Sequence, residues 1–188
     1  MKIGILGGTF NPIHIGHLIL AEETREKIGL EKIIFIPAYL PPHKDNSDIA
    51  EARHRLAMVK LATSRNSNFF VSDLEIKRDG RSYTIDTIKE LKVIYPQDDL
   101  YFIIGSDLLE YLDEWKDLNE ILKLVKFIVA TRPGYPLEKI PSHIATIPIR
   151  AVDISGFEIR KAIRENKSFR YLVADAVYDY INKKRLYR

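Results

Sequence analysis

His14 and His17 stand three residues apart, with Gly16 between them, just behind the run Gly7-Gly8-Thr9-Phe10. On the first turn of a helix, residues at that spacing share a face. Two imidazoles placed there can donate to a polyphosphate chain and to the charge that builds on it during transfer. Paired glycines let a backbone approach a phosphate closely, and a helix start adds N–H groups and the positive end of a dipole. The rival chemistry for such a pair is zinc binding. Zinc needs a third ligand, and His43, His54 and His143 lie at scattered positions without a matching spacing. Neither GxGxxG nor a P-loop signature occurs, which argues against a dehydrogenase or a P-loop kinase.

Further candidates punctuate the chain. Lys44 ends Pro41-Pro42-His43-Lys44, where two prolines stiffen the loop that carries it. Ser82 or Thr84 can cap the helix that follows Arg81, leaving N–H groups for a small carboxylate. Asp107, in Gly105-Ser106-Asp107, can accept both hydroxyls of a ribose. Trp115 is the sole tryptophan and sits in a polar run, which predicts either partial exposure or a stacking role. Arg132 can clamp a phosphate. Ser155 can cap a last glycine-led helix start at Gly156, with Arg160 pointing back toward the site.

These residues need a frame, and the hydropathy pattern supplies one. Lys2–Leu6, Lys32–Ile36, Phe69–Val71, Leu100–Ile104 and Lys126–Ala130 read as strands, with a sixth over Ala145–Ile149. Helices are expected after the first glycines, ending at Gly29 as C-cap, and over Glu51–Thr63 and Thr84–Ile94. The second of these buries Leu56, Val59 and Ala62 or Thr63, and two more begin near Gly156 and Leu172. Short apolar strands alternating with helices predict a doubly wound parallel α/β sheet covered on both faces, with ligands beyond the strands' carboxyl ends. At 188 residues, one such domain over 1–188 is expected.

The stretch Gly7–His17 resembles the nucleotidyltransferase superfamily with the paired-histidine HxGH motif. Within it, the order of elements is most similar to the bacterial nicotinate mononucleotide adenylyltransferases. The resemblance implies a Rossmann-like fold and adenylyl transfer from ATP to nicotinate mononucleotide, with Mg²⁺ carried on the ATP phosphates and no protein metal site. It implies that His14, His17, Lys44 and Arg160 do the chemistry. Gly7, Gly8, Thr9, Phe10, Gly105, Asp107, Ser155 and Gly156 would bind ATP with three of those. Tyr83, Thr84, Asp107, Trp115 and Arg132 would meet the acceptor with Lys44, the tryptophan stacking on the pyridine ring. Gly156 and Phe157 depart from the family's ISSTxxR pattern, standing where Ser and Thr are usual. Another small adenylyltransferase, of the phosphopantetheine type, and a non-catalytic nucleotide-binding protein are the alternatives.

The mild net charge of +3 suits phosphorylated small molecules and gives little reason to expect nucleic acid. No cysteine is present, so disulfides, thiolate metal sites and cysteine nucleophiles are excluded. With a strand beginning at residue 2 and no long apolar run, neither a signal peptide nor a membrane span is expected, and the cytoplasm is the expected compartment.

Overall fold

The computed structural model describes residues 1–41, 48–131, 144–150 and 152–188, and at Asp107 and Glu110 the backbone alone. Six strands form one sheet: β1 (Lys2–Gly8), β2 (Lys32–Pro37), β3 (Phe69–Val71), β4 (Asp99–Gly105), β5 (Lys126–Thr131) and β6 (Ala145–Pro148). All pair in parallel, in the order β3-β2-β1-β4-β5-β6. The chain winds outward from β1 to β3, then returns to lay β4 on the other side of β1. The winding direction therefore reverses between β1 and β4, and the two helix connections diverging there open a crevice at the strands' carboxyl ends.

The helices are α1 (Ile15–Ile28), α2 (Ala52–Thr63), α3 (Leu74–Arg78), α4 (Thr84–Ile94), α5 (Leu118–Leu124), α6 (Gly156–Arg164) and α7 (Asp175–Lys184), with a 3₁₀ helix over Ser106–Glu114. Successive strand residues point to opposite faces. Phe35, Ile103 and Ile128 pack under Leu20 of α1, Met58 of α2, Ile159 of α6 and Val177 of α7. Ile36, Phe102 and Phe127 pack over Ile88 of α4 and Ile121 of α5. Burial on both faces is why these strands read as continuous apolar runs.

The expected strands and long helices are present, and Gly29 ends α1 in the left-handed conformation at φ 67°. α7 starts at Asp175 rather than near Leu172, and β6 stops at Pro148. α3, α5 and the 3₁₀ helix were not expected, because segments of one or two turns show too little of a 3.6-residue period. The buried residues of α2 are Arg55, Met58, Val59 and Thr63, and Leu56 is only half-buried. An arginine thus occupies a core position that the apolar pattern assigned to a leucine.

Candidate active site

The glycine turn expected at Gly7-Gly8 is a correction. Both glycines belong to β1, held extended by a ladder that runs to Gly8 opposite Pro37. The reversal falls instead to Phe10, at φ 47°. His14 is likewise not on the helix. It is the N-cap of α1 in extended conformation, with φ −140°. The two histidines cap the helix reciprocally: His14 N–H donates to His17 Nδ1 at 3.2 Å, and the His14 side chain accepts from the His17 backbone. Their rings lie 3.7 Å apart, tilted by 31°, and Phe10 meets the His17 ring edge-on at 5.1 Å. They therefore share the site by stacking across the cap rather than along a helix face.

Two consequences follow. With Nδ1 accepting, the neutral His17 ring carries its proton on Nε2, so that atom is the donor. Gly16 is small because the His14 ring folds against it: a Cβ there would lie 3.1 Å from Nδ1 and 3.2 Å from Cε1.

The start of α6 converges on the same loop. Ser155 caps it as expected, its Oγ accepting from Glu158 N at 3.2 Å. Arg160 does turn back, its Nη1 donating to Asn11 O at 2.9 Å while its Nε reaches Asp48 at 2.9 Å. Asp48 also takes Arg164, and its carboxyl lies below the ordinary range: burial opposes ionisation, and Arg164 and Arg160 outweigh it. A Cβ on Gly156 would stand 2.9 Å from Asn11 O. The departure at Gly156 thus brings the α6 start against the β1–α1 loop. Phe157 is 62% exposed and packs into no core.

On the far side of β1, the residues after β2 meet the start of α4. Ser82 N donates to Leu40 O at 2.9 Å, and Tyr39 N to Ser82 Oγ at 2.8 Å. Neither Ser82 nor Thr84 caps α4. Tyr83 is the N-cap and makes no side-chain cap, because the Ser82 hydroxyl is spent on Tyr39 and Thr84 is already inside the helix. Arg55, 1% exposed, underlies both loops. Its guanidinium donates to Thr9 O (2.8 Å), Ala38 O (2.6 Å), Tyr39 O (2.9 Å) and Ala50 O (2.8 Å). Burial lowers its pKa. Sequence reasoning missed this residue, since a buried arginine runs against the rule that charge stays outside. The histidine of His54-Arg55 attracted notice only as a metal candidate; it pairs with Tyr180 at 2.9 Å, far along the chain.

Gly105 ends β4 beside β1, and Asp107 follows in the 3₁₀ helix. A small recess lined by Gly16, Leu20, Gly105, Ala130, Ile149 and Val152 lies between these strand ends and α1. Trp115 is half-buried and sets its edge against Phe102 (5.7 Å, 89°) and Phe127 (6.1 Å). It both lids the core and stays partly exposed. Lys44 and Arg132 lie outside the described residues. Among the described residues no group of three or more His, Asp or Glu could hold a metal ion, and no helix is long and apolar enough to cross a membrane.

Residues 5–162 match the cytidylyltransferase-like family. The chain is 45% identical to a probable nicotinate-nucleotide adenylyltransferase of Desulfitobacterium hafniense, over 100% of this chain and 96% of that protein. It is 43% identical to the nicotinate-nucleotide adenylyltransferase of Bacillus subtilis, over 99% and 98%. Its fold is similar to that of Plasmodium falciparum nicotinic acid mononucleotide adenylyltransferase complexed with NaAD, with a TM-score of 0.80, 22% identity, and 99% and 97% of the two chains covered.

Proposed function

Because the chain belongs to the nicotinate-nucleotide adenylyltransferases within the cytidylyltransferase-like family, it transfers the adenylyl group of ATP to nicotinate mononucleotide in NAD biosynthesis, and we propose that the crevice between β1 and β4 is where it does so. A phosphate oxygen of the mononucleotide attacks the α-phosphorus of ATP. The bond from that phosphorus to its bridging oxygen breaks, giving nicotinate adenine dinucleotide and pyrophosphate. The attacking phosphate is already an anion near neutral pH, so no general base is needed. What the protein supplies is alignment and charge stabilisation.

The observation that supports this reading is the convergence of two helix starts, α1 and α6, on Asn11 at the carboxyl end of β1. Gly7, Gly8, Thr9 and Phe10 line the ATP side. His14 holds His17 in the tautomer that donates from Nε2. Arg160 donates from Nε to Asp48 and from Nη1 to Asn11, with Nη2 paired to Asp48, and its charge faces the phosphates in this reading. Ser155 and Gly156 open the second helix start, and Lys44 is the remaining cation. The acceptor is assigned to Tyr83, Thr84 and Trp115, and from the family's motifs alone to Arg132, with Asp107 assigned to a ribose. The divalent cation enters with ATP, and Mg²⁺ is the ion proposed. The chain over 1–188 acts as one catalytic domain, in the cytoplasm.

The test is pyrophosphate release from ATP against a panel of acceptors: nicotinate mononucleotide, nicotinamide mononucleotide and phosphopantetheine. Release driven by nicotinate mononucleotide above the others is expected. Preference for phosphopantetheine, or no release with any acceptor, overturns the reading.

A further inference from the structure

Glu75 is a carboxyl without an assigned role, 7% exposed, in the short helix α3 just ahead of the acceptor side. Its direct hydrogen-bond partner is a hydroxyl, with the Arg78 charge further off. Thr87 Oγ1 donates to its Oε1 at 2.6 Å, and Ser82 is the other hydroxyl that favours the ionised form of this carboxyl. Each hydroxyl is itself an acceptor: Ser82 Oγ takes the Tyr39 N–H at 2.8 Å, and Thr87 Oγ1 takes Arg78 Nη2 at 3.0 Å. Arg78 is held in turn by Glu90 of α4 at 2.6 Å. One relay therefore ends on this carboxyl from the flank of α4, and Ser82, tied to the loop after β2, stands on its other side. Burial pushes its pKa up, and the hydroxyls of Thr87 and Ser82 work against that rise.

The placement matters more than the network's size. Ser82 immediately precedes the N-cap Tyr83, and Thr87 lies one turn into α4, so the two hydroxyls bracket Tyr83 and Thr84. No side chain caps α4, and its start is tied to the Tyr39–Leu40 backbone by the Leu40–Arg81 bridge and the Ser82 bonds. Resting on the acceptor assignment above, we propose that Glu75 is a positioning residue of the acceptor pocket: by taking the Thr87 hydroxyl, with Ser82 beside it, it holds the first turn of α4, and with it Tyr83 and Thr84, in one arrangement against the backbone after β2. It touches no reacting atom. A glutamine is the poorer partner, because it puts an N–H₂ donor where the carboxyl has a second acceptor oxygen and offers Thr87 no charge-assisted bond.

The experiment is a KM split in folded enzyme. Glu75→Gln should raise the KM for nicotinate mononucleotide about five- to ten-fold, the size of one lost hydrogen bond, and leave the KM for ATP within about two-fold. Thr87→Val, which removes one hydroxyl at similar volume, should move the same KM in the same direction by less, and it carries the test should the glutamine variant not fold. Equal shifts in both KM values, or an unchanged acceptor KM in a folded variant, overturn the proposal. Wild-type enzyme that turns over ATP with some other acceptor overturns the functional reading instead, so the two failures are distinct.

Discussion

His17 receives the His14 N–H on Nδ1, and this one bond makes a ring into a donor aimed by its Nε2 proton. In the role proposed for it His17 stabilises the charge that grows on the phosphates, so His17→Ala should lower kcat by about 10²–10³ while moving the KM for ATP far less. Steady-state kinetics on the folded variant check this, and near-normal turnover would remove His17 from the chemistry. The neighbouring departure, Gly156, invites the substitution that restores the family's serine, and from sequence alone that change should add a hydroxyl to the ATP side. The structure reverses the expectation. A side chain at Gly156 meets the Asn11 carbonyl at 2.9 Å, and backbone there yields only at a cost of about 1–3 kcal/mol. Gly156→Ser should therefore lower the melting temperature by several degrees and raise the KM for ATP. Phe157→Thr, at an exposed position, should leave stability within about 0.5 kcal/mol. Calorimetry and ATP titration of the two single variants separate these outcomes.

At the scale of elements, α4 begins without a side-chain cap, and in the proposed reading the positive end of its dipole faces the acceptor. Nicotinate and nicotinamide mononucleotides differ there by a carboxylate against a neutral amide. A charge-assisted hydrogen bond is worth about 1.5–3 kcal/mol, so kcat/KM should favour the acid by at least about ten- to a hundred-fold. Comparing the two acceptors at saturating ATP decides it, and equal values would mean that α4 does not read the carboxylate. The strand and long-helix pattern was legible because burial on both sheet faces forces long apolar runs and a 3.6-residue period. α3 was not, although it carries Glu75. Five residues hold little more than one turn, too short for a period to emerge.

At the scale of the molecule, Glu23 in α1 closes the far edge of the sheet. It takes the Arg150 backbone N–H at 3.0 Å and the Arg150 guanidinium, and pairs with Lys27 at 3.2 Å. The Arg150 guanidinium first, then its N–H, hold the Glu23 carboxyl at about 2 against an ordinary 4.5. A depressed carboxyl stabilises the fold above its unfolded value and loses that contribution as pH falls through the folded one. Wild-type melting temperature should therefore drop more steeply between pH 4.5 and 2 than that of Glu23→Gln. Melting curves across that range check the sign; parallel curves would mean the tie adds nothing.

The spacing of the two histidines, the strand end at Gly105 and the Ser155 cap were readable in order along the chain, whereas Gly7-Gly8 read as a turn and lie in β1. A cap and a strand end are announced by residue type at a fixed spacing, and local backbone preference is enough to set them. What the order cannot express is contact between distant segments. That β4 returns beside β1, that Asn11 meets Gly156, and that Arg55 gathers the carbonyls of Thr9, Ala38 and Tyr39 are decided only when the sheet closes. The same holds for Glu75, whose carboxyl has no meaning until Ser82 and Thr87 are packed around it. A buried charge is tolerated only where tertiary structure brings it partners, so its position is set by those partners and not by its sequence neighbours.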